Sequence, residues 1–112
     1  MELSVEQMDG GVVIIAVSGE VSWNTTPKLH ETLIPLFANK REAVVVDLLG
    51  VSFMDSSGIA ILIEALQRSL RSEISFRLSG VVPPVKHVLK MAKLEELFEI
   101  FDTREAALKD LT

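Results

Sequence analysis

Ala43-Val44-Val45-Val46-Asp47-Leu48-Leu49 is a continuous apolar run rich in β-branched residues, and Gly50 is read as its end. Runs of this kind occupy strands covered on both faces of a sheet. Beyond it, Phe53-Met54-Asp55-Ser56-Ser57-Gly58 leads into Ile59, Leu62, Ile63, Leu66 and Leu70, which recur at helical spacing and leave Glu64, Gln67, Arg68 and Arg71 to face water. The pattern predicts a buried strand, a tight junction and an amphipathic helix with paired hydroxyls at its N-terminus. Such a terminus presents unpaired backbone N–H groups and a partial positive charge of roughly half a unit. An anion on a neighbouring hydroxyl is accommodated there, which suits a phosphoryl switch. Phe53 is assigned to the core, and Met54 either to the core or to a flexible contact surface.

The remaining elements follow from the same reasoning. Leu3 and Val5, then Val12 to Val17, read as two antiparallel strands joined by Asp9-Gly10-Gly11, a composition that supplies positive φ. Gly19-Glu20-Val21-Ser22-Trp23-Asn24 reads as a polar loop, after which Thr26 is expected to cap a helix beginning at Pro27. That helix buries Leu29, Leu33, Leu36 and Phe37, is kinked or shortened by Pro35, and ends near Asn39. A further strand runs from Ile74 to Leu78, with Ile74, Phe76 and Leu78 alternating against Ser75 and Arg77, and Gly80 closes it. Pro83 and Pro84 open a helix carrying Val85, Val88, Leu89 and Ala92. Leu94, Leu97, Phe98 and Ile100 form a last apolar segment, and Thr103 caps a terminal helix. The order implies a single α/β (α+β) domain over 1–112: a mixed, mostly parallel sheet of four to five strands, with an antiparallel N-terminal hairpin strand and helices mainly on one side.

At 112 residues, 48% hydrophobic and 24% charged, the chain suits one domain with little room for a deep enclosed active site. It has no cysteine, which excludes disulfides, thiolate metal sites and a cysteine nucleophile. A net charge of -5 with scattered Lys and Arg argues against a nucleic-acid partner. The N-terminal acids Glu2, Glu6 and Asp9, and the lack of any apolar run near ~18 residues, point to a cytoplasmic protein without membrane insertion. A serine hydrolase would need a histidine base and a Gly-x-Ser-x-Gly elbow, but His30 and His87 lie on predicted helices and no elbow is present. A receiver phosphorylated at Asp55 would need further clustered carboxylates to hold Mg²⁺, and the Gly19-Glu20 loop offers one. No phosphate-binding glycine fingerprint occurs. The expectation is no catalytic residue, no metal and no cofactor.

Val45-Val46-Asp47-Leu48 followed by Val51-Ser52-Phe53-Met54-Asp55-Ser56-Ser57-Gly58-Ile59 resembles the signature of the STAS domain, the fold of bacterial anti-sigma-factor antagonists. Gly19-Glu20-Val21, Pro83 with Val85 and Leu89, and Leu94 with Leu97-Phe98-Glu99-Ile100 resemble the family in register, so the likeness spans most of the chain. It implies a switch protein that, unphosphorylated, binds an anti-sigma factor doubling as a serine kinase of the histidine-kinase-like ATPase fold. That kinase phosphorylates the first serine of Asp-Ser-Ser-Gly, here Ser56 with Ser57 as the alternative, and so releases the antagonist. A metal-dependent serine phosphatase reverses the modification. Glu20, Ser22, Trp23, Asn24, Met54, Asp55, Ser57, Gly58 and Ile59 are the expected partner-binding residues around it.

From the residues alone, Ser56 and Ser57 are equally readable as helix caps aided by Asp55. Trp23 is readable as a partner anchor or as a residue folded onto its own domain. Two positions depart from the resemblance: Ser22 stands where many antagonists carry an aspartate, and Lys93 where a glycine is usual, which is expected to alter that turn. The alternative function is a non-switching STAS interaction module, a stressosome-type scaffold or a lipid-transport complex subunit.

Overall fold

The computed structural model describes residues 1–111. Its strands β1 (Glu2–Met8), β2 (Val12–Val21), β3 (Ala43–Met54), β4 (Ser75–Ser79) and β5 (Glu99–Phe101) form one five-stranded sheet in the order β1-β2-β3-β4-β5. Only the β1/β2 pair is antiparallel. The hairpin between them turns at Gly10 and Gly11, whose φ values of 79° and 77° are the left-handed backbone predicted for that turn. The helices are α1 (Thr26–Leu33), α2 (Ser56–Ser72), α3 (Pro83–Met91) and α4 (Arg104–Leu108).

Helices α1, α2 and α3 cover one face of the sheet. Leu29, Leu33, Ile59, Leu62, Ala65, Val85 and Leu89 pack there against Ile15, Val17, Val44, Val46, Leu48, Phe76 and Leu78. On the opposite face the short α4 packs Ala107 and neighbouring Leu111 on Val12, Ile14, Ala43 and Val45. The β-branched run in β3 is therefore buried on both sides, Val44 to Val46 being fully inaccessible. Pro35 ends α1 as anticipated, and the chain continues as a 3-10 turn over Ile34–Phe37.

Several expectations are corrected. Gly50 does not end β3, which runs on to Met54, and β2 extends to Val21, taking in Gly19-Glu20-Val21. The extension is irregular: Ala16 and Ser18 pair with Asp47 and Gly50, and Gly19 and Glu20 pair with Val51 and Phe53, so β3 bulges twice by one residue. Each bulge reverses the side-chain alternation. Leu48, Val51 and Met54 thus all face the core, Met54 being 1% exposed, while Phe53 is 46% exposed instead of buried. Leu70 is also exposed, because the stripe of α2 that meets the sheet is centred on Leu62, Ala65 and Ser69. A buried serine is tolerated there because its hydroxyl donates to the Leu66 carbonyl at 2.6 Å. The last apolar segment buries Phe98 but leaves Leu97 and Ile100 exposed.

Arg77 alternates with Phe76 and Leu78 as predicted, yet its face of the sheet is not open to water. It is buried beneath α4, pairs through both terminal guanidinium nitrogens with Asp110 and through Nε with Glu99 at 3.1 Å, donates to the Ala107 carbonyl and lies 5.1 Å from the Phe101 ring centroid. Lys93, expected to alter the turn after α3, is accommodated in it. It adopts the left-handed backbone itself (φ 59°), and Leu94 and Lys93 donate to the carbonyls of Leu89 and Lys90 in a Schellman closure.

Candidate docking and modification site

Parallel pairing of β2 with β3 brings their C-terminal ends together, with Val21 in register with Met54. The chain leaves β3 at Asp55, whose N–H donates to the Val21 carbonyl at 3.0 Å. Asp55 has extended backbone (φ -96°, ψ -175°) and is the N-cap of α2. Its Oδ1 accepts the Ser57 N–H at 2.9 Å, the Gly58 N–H at 3.4 Å and a short hydrogen bond from the Ser57 hydroxyl. Oδ2 accepts the N–H of Trp23 at 3.0 Å, across 32 positions of sequence. The Ser57 hydroxyl first, and then the backbone N–H groups of Trp23, Ser57 and Gly58, hold the Asp55 carboxyl below the usual carboxylate range.

The two serines are not equivalent. The Ser57 hydroxyl is engaged with Asp55, whereas Ser56 is exposed, and its hydroxyl has no hydrogen-bond partner among the described residues. Neither serine caps the helix. They are the first two residues inside it, and the carboxylate before them is the cap. Gly58 follows because α2 begins close against the strand ends: a Cβ on it would lie 2.6 Å from Met54 Cγ and 2.9 Å from Val21 Cγ1.

The loop between β2 and α1 is closed by Thr25, not by Thr26. The Ser22 N–H donates to the Thr25 hydroxyl at 2.9 Å, and the Thr25 and Thr26 N–H groups donate to the Ser22 carbonyl at 2.8 and 2.9 Å. Thr25 holds the N-cap position without bonding a helical N–H, while Thr26 lies inside the helix and is buried. The Ser22 hydroxyl donates to Asn24 Oδ1. Trp23 is 77% exposed, so it is not folded onto its own domain.

Of the residues expected around Ser56, Glu20, Trp23 and Asn24 are exposed, and Ser22, Asp55 and Ser57 are half-buried. Met54, Gly58 and Ile59 are buried and lie beneath this surface, supporting it. Phe53 and Thr25 were missed. Counting alternate positions from Val44 puts Phe53 outward only because the two bulges cancel, and it puts the buried Val51 outward as well, so the sequence carried no dependable signal for Phe53. Thr25 had only the three-residue spacing from Ser22 as its signal. Among the described residues no three acidic or histidine side chains cluster to hold a metal, and no helix is long and apolar enough to cross a membrane.

The family model of the STAS domain matches residues 4–107. The chain belongs to the STAS domain family. A curated relative, the anti-sigma F factor antagonist of Paenibacillus polymyxa, is 27% identical over 113 aligned positions, covering 99% of this chain and 97% of the relative. The crystal structure of an anti-sigma factor antagonist from Mycobacterium paratuberculosis superposes with a TM-score of 0.85 at 26% identity, covering 98% and 92% of the two chains. The fold is also that of the Bacillus anti-sigma factor antagonist SpoIIAA, at 18% identity in both of its forms. The unphosphorylated form gives a TM-score of 0.83 over 96% of this chain and 94% of the other, and the phosphorylated form 0.79 over 99% and 100%. This STAS domain thus has anti-sigma factor antagonists among its homologues.

Proposed function

We propose that this STAS domain is an anti-sigma-factor antagonist switched by phosphorylation of Ser56. Unphosphorylated, it binds an anti-sigma factor that is also a serine kinase of the histidine-kinase-like ATPase fold; phosphorylated, it is released until a metal-dependent serine phosphatase removes the group. The observation that carries the reading is the asymmetry of the serine pair: Ser56 offers an exposed, uncommitted hydroxyl at the first turn of α2, while that of Ser57 is committed to Asp55. Trp23 and Phe53 add exposed aromatic surface at the same end of the sheet, which is what a partner-binding face needs.

The switch requires no change of fold. A phosphate brings about -1.5 to -2 charges, which the α2 terminus tolerates. On the outer surface the dianion lies at the centre of the docking patch, beside Asp55 and near Glu20, where charge repulsion and desolvation cost several kcal/mol. About 3 kcal/mol weakens binding on the order of a hundredfold.

Intact mass after incubation with cell lysate and ATP, followed by peptide mapping, tests the modification and is expected to assign it to Ser56. In calorimetric titration with the captured partner, Ser56→Ala is expected to bind constitutively and Ser56→Glu weakly. Equal affinity of all three forms would refute the switch and leave a non-switching STAS interaction module.

A further inference from the structure

We propose that Asp55 is the positioning residue that locks the Trp23 loop onto the helix bearing Ser56, so that the aromatic anchor and the modification site are presented as one rigid surface. The docking role of that surface rests on the function proposed above, but the tether is a property of the free protein. One carboxylate serves two segments distant in sequence. Oδ1 collects the first turn of α2, through the N–H groups of Ser57 and Gly58 and the Ser57 hydroxyl. Oδ2 reaches the loop, taking the N–H of Trp23 at 3.0 Å.

A simple helix cap needs no second partner, and asparagine caps a helix about as well as aspartate. What asparagine cannot do here is accept on both sides. With its carbonyl oxygen turned to α2, its amide nitrogen faces the Trp23 N–H, donor against donor. Asp55→Asn therefore separates the two roles: α2 stays capped and the loop loses its tether. The loop's own closure does not involve Asp55, since the Thr25 and Thr26 N–H groups go to the Ser22 carbonyl. Besides the bond to Asp55, the Trp23 carbonyl accepts from the Thr26 hydroxyl at 3.3 Å, which leaves the Trp23 N–H held by Asp55 and its side chain 77% exposed.

The experiment is residue-resolved amide exchange by NMR on the free protein, with the Thr26 amide as internal reference. In Asp55→Asn the Trp23 amide is expected to exchange at least tenfold faster, with Thr26 and the amides of α2 within about twofold of wild type. Ser57→Ala, which removes only a bond to Oδ1, is expected to leave the Trp23 amide unchanged. Unchanged Trp23 exchange in Asp55→Asn would overturn the proposal, as would equal acceleration at Trp23, Thr26 and α2, since Asp55 would then be only a cap. These outcomes do not depend on any partner, so they are distinguishable from a failure of the Ser56 switch, which the binding titration reports.

Discussion

Gly58 is the position where the site and the core compete for space. A Cβ there lies 2.6 Å from Met54 Cγ, 3.1 Å from Met54 Sδ and 2.9 Å from Val21 Cγ1, against a comfortable carbon separation of about 3.5–4.0 Å. The overlap with Met54 is thus about 1 Å. Met54 is buried, 1% exposed, in an interior packed to crystal-like density, and Val21 is fully buried and stiff at χ1. Relief must come from lifting the first turn of α2. Overpacking costs about 1–3 kcal/mol, an overlap near 1 Å places this case at about 2–3 kcal/mol, and the better helix propensity of alanine returns about 1 kcal/mol. Gly58→Ala is therefore expected to lose about 1–2 kcal/mol. In a chain of this size that lowers the thermal midpoint by about 4–8 °C. Urea unfolding of Gly58→Ala, Met54→Ala and the double variant isolates the clash. The double variant should be more stable than the sum of the two losses implies, by about 1 kcal/mol. Strict additivity, or a Gly58→Ala protein as stable as wild type, would refute the close-approach argument.

Other expectations follow from single contacts. Trp23→Ala, at a residue 77% exposed, should move the thermal midpoint by no more than about 2–4 °C. If Trp23 anchors the partner, the same change should weaken partner binding on the order of thirtyfold in calorimetry. Lys93→Gly relieves a left-handed backbone (φ 59°) and should stabilise by about 0.5–1 kcal/mol in denaturant unfolding. The Arg77 guanidinium holds the Asp110 carboxyl below its ordinary value of 3.8. A carboxyl whose folded-state pKa is lowered contributes stability that is fully present above that ordinary value and is lost as pH falls through the lowered one. Asp110→Asn should therefore melt below wild type at neutral pH, and the difference should close as the pH is taken below that range. A difference independent of pH would show that the ion pair is not its source.

The tandem of β-branched run and amphipathic helix was legible because each pattern reports its own burial, and Pro35, the Gly10-Gly11 turn and the Thr103 cap were legible because each acts on its own backbone. What misled was context. Gly50 looks like a strand end, but it sits at a bulge where a Cβ would come within 2.8 Å of Ser18 Cβ, a closeness set by the neighbouring strand. Leu70 carries the right spacing for the core, yet the small Ala65 and Ser69 settle closer to the sheet and turn it outward. Arg77 reads as a solvent-facing residue until α4 and Asp110 close over it.

By itself the sequence determined the order of elements, the five-strand mixed sheet to within a strand, and the placing of a hydroxyl pair at a helix start, because hydrophobic periodicity and capping act over a few residues. Only the tertiary structure decided which hydroxyl is free, which aromatic residues face outward and which loop Asp55 holds. Those outcomes depend on strand register and on hydrogen bonds between segments some 32 positions apart, where a local pattern carries no information about its partner.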